Sequence, residues 1–487
     1  MIPKPQGTGS VIPMKILLVS TNRNTLPMPV MPIGACLVAE AAERAGHTVG
    51  LLDLMFTRDA SAAIESAATG FQPDAVGLSV RNIDNNDMGN PVFFLDDLQR
   101  IVEAVRARTD APIILGGAAL GVMPEALLRL APASCAVIED GETVFPALLD
   151  RLSRGESFND VAGLAVIQNG IFRRNPLGSS WFSAICRAPD YRRWLDFPAY
   201  RSQLATVPVQ TKTGCQFQCV YCTYPKIEGN TCRLKEPESV AEAVTRFTAA
   251  GLRDIEIVDS VFNAPLDHAM NVCTALARAG CKARLQCLEL NPRHIDDALL
   301  TAMERAGFAG MGITLESAAD PVLEGLNKGF TRSEVDRAAE VVRRHRIPCA
   351  WIFLFGGPGE TEETVRETLR FAETRIRPGD IAFFTTGIRI YPGTELESIA
   401  RRQGILTLSP AEMLAPAFYV SPEVDPRWIE QQLKKAMGRN MNFISMGSLG
   451  LPFLPTLNRM GSRVLRPPLW RYTRFIRRGL RMAGMDV

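Results

Sequence analysis

Two stretches of the chain share one rhythm: short apolar runs separated by longer segments in which apolar residues recur at helical spacing. In the first stretch the apolar runs cover residues 14–20, 48–53, 75–79, 112–117 and 135–138. Helical segments follow at 33–45, stopped by Gly46, at 93–108, from Pro124 and from Thr143. Strands alternating with helices predict a parallel sheet covered on both faces, a doubly wound α/β domain over residues 14–155. Ligands of such sheets sit beyond the carboxyl ends of the strands, here residues 20–34, 79–82, 116–119 and 139–142. The second stretch, residues 205–396, has candidate strands at 207–211, 254–258, 283–288, 310–315, 349–355 and 381–390. Six βα units predict a partial (β/α)6 barrel with its chemistry in the carboxyl-end loops. Residues 156–204 read as a connector holding a β-hairpin with an Asn169-Gly170 turn. Residues 397–487 form a mostly helical carboxyl-terminal region, and residues 1–13 a flexible lead-in.

Composition narrows the class. With 46% hydrophobic residues, 22% charged and a net charge of +2, the chain is globular. Nothing in that balance suggests disorder or a surface built for nucleic acid, and no nucleic-acid partner is expected. No apolar run reaches the roughly 18 residues of a membrane span. Residues 1–13 lack the apolar core of a secretory signal. The 11 cysteines are odd in number and mostly isolated in apolar surroundings, so a reducing, cytoplasmic setting is expected rather than a disulfide scaffold. Only one group is clustered.

That group is Cys215, Cys219 and Cys222, a C-x3-C-x2-C run on the loop after the first barrel strand. Three soft thiolates so close can hold three corners of a cubane cluster and leave its fourth iron open to a ligand. Gly214 lets the chain turn tightly there. A zinc site short of its fourth ligand is the structural alternative.

The run, with Tyr221 in its aromatic position, resembles the signature of the radical SAM superfamily. The resemblance implies a 4Fe-4S cluster whose open iron binds S-adenosyl-L-methionine, and reductive cleavage of that molecule to a 5′-deoxyadenosyl radical. Tyr221 would pack near the adenine. Residues 255–263 resemble the second-strand segment, making Asp259 and Ser260 candidates for the methionine moiety, although its usual Gly-Gly-Glu is absent. Residues 313–317, followed by 326–329, resemble the fourth-strand segment and imply that Glu316 binds the ribose hydroxyls. Residues 355–361 resemble the fifth-strand glycine turn, where Gly356 and Gly357 would let the backbone approach the adenosine.

An α/β domain ahead of such a barrel resembles the cobalamin-binding domain of B12-dependent radical SAM enzymes. This implies a corrin contacted by Ser79, Arg81, Gly116, Gly117, Glu139, Gly141 and Glu142. No Asp-x-His-x-x-Gly follows the first strand, so no imidazole is expected on cobalt. His47, opening the second strand, reads as a surface residue. In this group the commonest reaction passes methyl from methylcobalamin to an unactivated carbon, so a cobalamin-dependent C-methyltransferase is expected. Non-methylating rearrangement, cyclisation or coupling is the first alternative, and a cobalamin or redox sensor the alternative of another class. A methylthiotransferase fits less well, because Cys36 and Cys135 stand alone in the amino-terminal domain.

A small-molecule or lipid-like substrate and an electron donor such as flavodoxin or ferredoxin follow as partners. The tail interleaves Arg459, Arg463, Arg466, Arg471, Arg474, Arg477, Arg478 and Arg481 with apolar residues, and Asp486 is its sole acid. A basic amphipathic helix of this kind suits either peripheral membrane contact or packing against the barrel.

Overall fold

The computed structural model describes residues 12–26, 28–176, 188–446, 454–462 and 465–482. Most of the lead-in, part of the connector, Arg463 and Asp486 fall outside them. The described chain divides into two compact units.

The first unit is built on β1 (Lys15–Ser20), β2 (Thr48–Asp53), β3 (Ala75–Ser79), β4 (Ile113–Gly116), β5 (Cys135–Val137), β6 (Leu164–Gln168) and β7 (Ile171–Arg174). The sheet runs β2-β1-β3-β4-β5-β6-β7, parallel through β5, with Ile16 opposite Ala75 and Val76 opposite Ile113. Ile16, Val19, Ala75, Val76 and Leu115 are fully buried, as continuous apolar strands between two helical layers should be. The hairpin expected in the connector belongs instead to this sheet: β6 pairs antiparallel with β5, Ala136 opposite Ala165. Leu164, Ala165 and Val166 are apolar on both faces and are covered only as an extension of the core. Its turn is as expected, with Asn169 and Gly170 at positive φ.

The second unit holds β8 (Val207–Val209), the short pair β9 (Lys212–Thr213) and β10 (Arg233–Leu234), then β11 (Asp254–Ile257), β12 (Arg284–Leu290), β13 (Phe308–Glu316), β14 (Cys349–Phe355), β15 (Ile381–Thr386), β16 (Ile388–Ile390), β17 (Ala417–Tyr419) and β18 (Phe443–Ser445). Six strands stand side by side in chain order as a parallel partial barrel, β8-β11-β12-β13-β14-β15. A seventh, β18, comes from the carboxyl-terminal region and pairs parallel with β15. The expected 381–390 strand breaks at Gly387, where φ is +80°. A Cβ there would lie 2.5 Å from Met88 Sδ. Met88 belongs to segment Asp84–Phe93, which clusters with this unit. The segment is fixed by a buried Asp84–Arg389 pair at 2.9 Å and by a hydrogen bond from Tyr391 Oη to Asn86 Oδ1 at 2.7 Å.

The barrel strands alternate in exposure. Outward residues such as Trp351, Phe353 and Phe384 are buried against helices, with Phe371 edge-on to Trp351 at 5.9 Å. Their inward alternates, Thr314, Ile352, Leu354, Phe383 and Thr385 among them, are only partly covered, so the lumen is open. Its lower end is stopped by the tail. Trp470 packs with Leu288 and Phe383 against Ala350, Ile381 and Ile444, and a Cβ at Gly310 would meet Pro468 at 2.8 Å. Arg477 and Arg481 of helix Thr473–Met482 donate to the carbonyls of Phe443 and Met437, near the end of helix Pro426–Arg439. Arginine at a helix carboxyl terminus meets unsatisfied carbonyls and the negative end of the dipole. That part of the tail is therefore packed. No helix among the described residues is long and apolar enough to cross a membrane.

Candidate active site at the barrel mouth

The cysteine loop grows from the β9–β10 pair. Gly214 sits at φ +85°, and a Cβ there would lie 2.2 Å from Thr231 O, so only glycine fits. Cys215 N donates to Gly229 O at 3.1 Å, and Cys222 N to Cys219 O at 3.0 Å. Glu228 anchors the loop, accepting from Gly214 N and from Ser260 Oγ, each at 3.1 Å. Further contacts come from Val220 N to Leu326 O at 3.1 Å and Asn327 Nδ2 to Gln218 O at 2.9 Å.

Burial pushes all three thiols up; neighbouring thiols add to it at Cys215 and Cys222, Lys328 partly offsets it at Cys219, and Cys222 reaches about 12. Three such thiols in one loop, each unwilling to ionise without a nearby cation, have the donor chemistry of an iron–sulfur cluster. Among the described residues no three side chains converge as ligands of a single metal ion must.

Beside the loop, Tyr221 Oη donates to Glu316 Oε1 at 2.6 Å, and Lys328 Nζ pairs with Glu316 Oε2 at 2.5 Å. Burial alone would lower the Lys328 ammonium, but the charges of Glu316 and Cys219 outweigh it and the net shift is upward. Burial, then Glu316, raises Tyr221 well above its usual value. Glu316 closes β13 with φ at +61°, beyond a register shift after Thr314. A non-glycine residue held in that region marks strain kept for a purpose. This carboxylate can accept two adjacent hydroxyls.

Other expected residues fare differently. Asp259 does not reach the mouth: it is 2% exposed and bonded to Thr211 N at 2.7 Å and to Lys212 Nζ at 3.3 Å. Its oxygens are consumed by the scaffold, while Ser260 serves Glu228. Gly356 and Gly357 are closed over by the protein itself, with Cβ positions 3.3 Å from Val420 and 3.1 Å from Leu326. The glycine turn thus admits those side chains. Glu360 fixes it, accepting from Gly356 N at 3.2 Å and Thr364 Oγ1 at 2.7 Å.

In the first unit, Ser79 and Gly116 end β3 and β4 beside the crevice where strand order reverses about β1 and β3. Arg81 is exposed, and the atom nearest to the absent Cβ of Gly116 is Val137 Cβ at 3.9 Å, an ordinary contact that leaves the glycine's flank uncrowded. The donors and the free flank fit a corrin edge. Gly117 and Gly141 answer to the protein's own packing, their Cβ positions lying 2.5 Å from Val80 O and 3.0 Å from Val38. Arg174 lies 3.5 Å from Glu139, and Glu142 opens a helix capped by Asp140. His47 is buried rather than on the surface, taking a bond from Met14 N at the opposite end of the sheet. Lys328, Glu228 and Glu360 were not singled out from the sequence; Lys328 carried a signal, standing inside the 326–329 segment.

Residues 209–372 match the Radical SAM superfamily, and residues 19–149 match the B12 binding domain. The chain thus carries a B12-binding domain followed by a radical SAM domain and is homologous to cobalamin-dependent radical SAM methyltransferases. It is 24% identical over 434 residues to the tryptophan 2-C-methyltransferase of Streptomyces laurentii, spanning 76% of this chain and 72% of that one. An uncharacterized methyltransferase of Pyrococcus horikoshii is 25% identical over 403 residues, 81% of this chain and 84% of that one. The fold is that of the radical S-adenosylmethionine methyltransferase TsrM from Kitasatospora setae, solved with tryptophan and an S-adenosylmethionine analogue bound. The TM-score is 0.82 at 23% identity, over 96% of this chain and 99% of that one.

Proposed function

We propose that this protein uses S-adenosylmethionine, a 4Fe-4S cluster and cobalamin to methylate an unactivated carbon of a small molecule. One observation carries the reading: the three-thiol loop meets the Tyr221–Glu316–Lys328 triad at the barrel mouth, in a chain with a B12-binding domain. Cys215, Cys219 and Cys222 would ligate the cluster, and Glu316 would accept the ribose hydroxyls. Ser79, Arg81 and Gly116 would line the corrin. When bound, these groups supply the electron and the methyl-carrying chemistry that no side chain offers. The chain's own part is placement and exclusion. Lys328 pairs with Glu316, Tyr221 aims it, and Trp470 with Pro468 stops the lower end of the lumen against water.

Tryptophan, the substrate that the Streptomyces laurentii relative's name states, is the first candidate to try, and a flavodoxin or ferredoxin the electron donor. Membrane contact by the tail would fall to the exposed Arg474, Phe475, Arg478 and Met482. The packed Arg477 and Arg481 favour the barrel instead. The decisive experiment reconstitutes the protein anaerobically and supplies methyl-labelled S-adenosylmethionine, reductant, cobalamin and tryptophan. Labelled product with S-adenosylhomocysteine is expected. Deoxyadenosine without S-adenosylhomocysteine would mean rearrangement, cyclisation or coupling, and the absence of oxygen-sensitive cluster absorbance, or its persistence in Cys219→Ala, would overturn the site.

A further inference from the structure

The barrel lumen has two unlike walls. On β14 and β15 it presents Ile352, Leu354 and Phe383, apolar and partly uncovered. On β11 and β12 it presents Glu256, Gln286 and Glu289. Glu256 Oε2 accepts from Thr206 Oγ1 at 2.5 Å and from Gln286 Nε2 at 2.9 Å. That bond turns the Gln286 amide so that its oxygen is left over. Gln286 Oε1 is buried without a hydrogen-bond partner, on a residue only 3% exposed. An acceptor buried this way is unfavourable until a donor reaches it.

Glu289 lies further along the same strand, hydrogen-bonded by Thr314 and within the fields of Glu256, Glu316 and Lys328. Lys328 is already engaged by Glu316, and among the described residues no cation pairs with Glu289. Burial, then the charge of Glu316, pushes the Glu289 carboxyl up to about 7. Gln286 and Glu289 therefore offer acceptors for which the described residues supply no cation.

We propose that Gln286 and Glu289 form a subsite for a protonated amine, so that the substrate is a small amphipathic amine whose apolar body rests on Ile352, Leu354 and Phe383. This rests on the methyltransferase reading above and names its substrate class. S-adenosylmethionine is itself a cation, so the test is run with it saturating, which leaves the subsite to the second ligand.

Calorimetry on the anaerobic, cluster-loaded protein compares tryptamine with indole-3-acetate, two indoles of opposite charge. Tryptamine should bind roughly tenfold more tightly, the scale of one buried charge-assisted contact. Glu289→Gln should bring the two within about threefold while S-adenosylmethionine affinity stays within about twofold. Equal or tighter binding of the anion, binding of neither indole, or discrimination that survives Glu289→Gln would each overturn the subsite. Cleavage products of S-adenosylmethionine, measured in the same samples, report on the methyltransferase reading separately.

Discussion

The second unit buries two lysines, each against a carboxylate, and the two pairs are built for different ends. Asp259, with its side chain wholly covered, accepts from Lys212 Nζ, Thr211 Oγ1 and the backbone nitrogens of Thr211 and Lys212. Lys212 spends a further donor on Phe262 O at 3.0 Å. Glu316 has Tyr221 Oη and Lys328 Nζ, and it sits on strained backbone at the rim of the lumen. A saturated pair joins β9 to the loop after β11 and does no more. An unsaturated pair, paid for in strain, keeps acceptor capacity for a ligand.

Four measurements bear on that contrast, the largest effect first. Lys212→Met strands a buried aspartate and should cost about 3–5 kcal/mol of unfolding free energy, read from urea denaturation. A cost near zero would mean that the pair is not the closed brace described.

Glu360, buried and held by neutral donors, is the case without a lysine. Its carboxyl is raised to about 7, chiefly by burial against the opposing bonds from Thr364 and Gly356. A raised acid favours folding while protonated. Its contribution is therefore whole below the unfolded value near 4.5 and lost as pH climbs through 7. Of order 3 kcal/mol should disappear over that window. Glu360→Gln should flatten that part of the stability–pH profile, measured by denaturation at several pH values.

Glu316→Gln should lower S-adenosylmethionine affinity roughly 10- to 100-fold, with less loss of stability than Lys212→Met. The reverse pattern would erase the distinction between the pairs. Tyr221→Phe removes one hydrogen bond and should weaken the same binding by about 0.5–1.5 kcal/mol, seen by calorimetry.

The two pairs also show what a sequence makes legible. Strand–helix alternation placed the strands of the two parallel sheets except β18, because a run apolar on both faces has few other uses in a chain of this size. Cys215, Cys219 and Cys222 were readable because their spacing is itself the chemistry. Asp259 and Glu316 both stand at strand ends beside a serine, and nothing local says which turns inward to the scaffold and which to the lumen. That depends on a register shift after Thr314, which only pairing with β14 reveals. Glu289 and Gln286 escaped notice for a related reason. They break an apolar strand at an interval of three, which matches neither strand alternation nor a motif. The hairpin was recognised but misplaced, since its turn is local and its partner strand is not.

The plug formed by Pro468 and Trp470 has a consequence for biogenesis. Ribosomal synthesis delivers Trp470 long after the strands it seals, so a nascent barrel already complete through β15 still has a hole beneath it. Iron and sulfide delivered at that stage would reach a compartment drained from below. Maturation should therefore follow release of the finished polypeptide, and a stop codon ahead of Pro468 should yield protein that takes up iron poorly however intact its thiols.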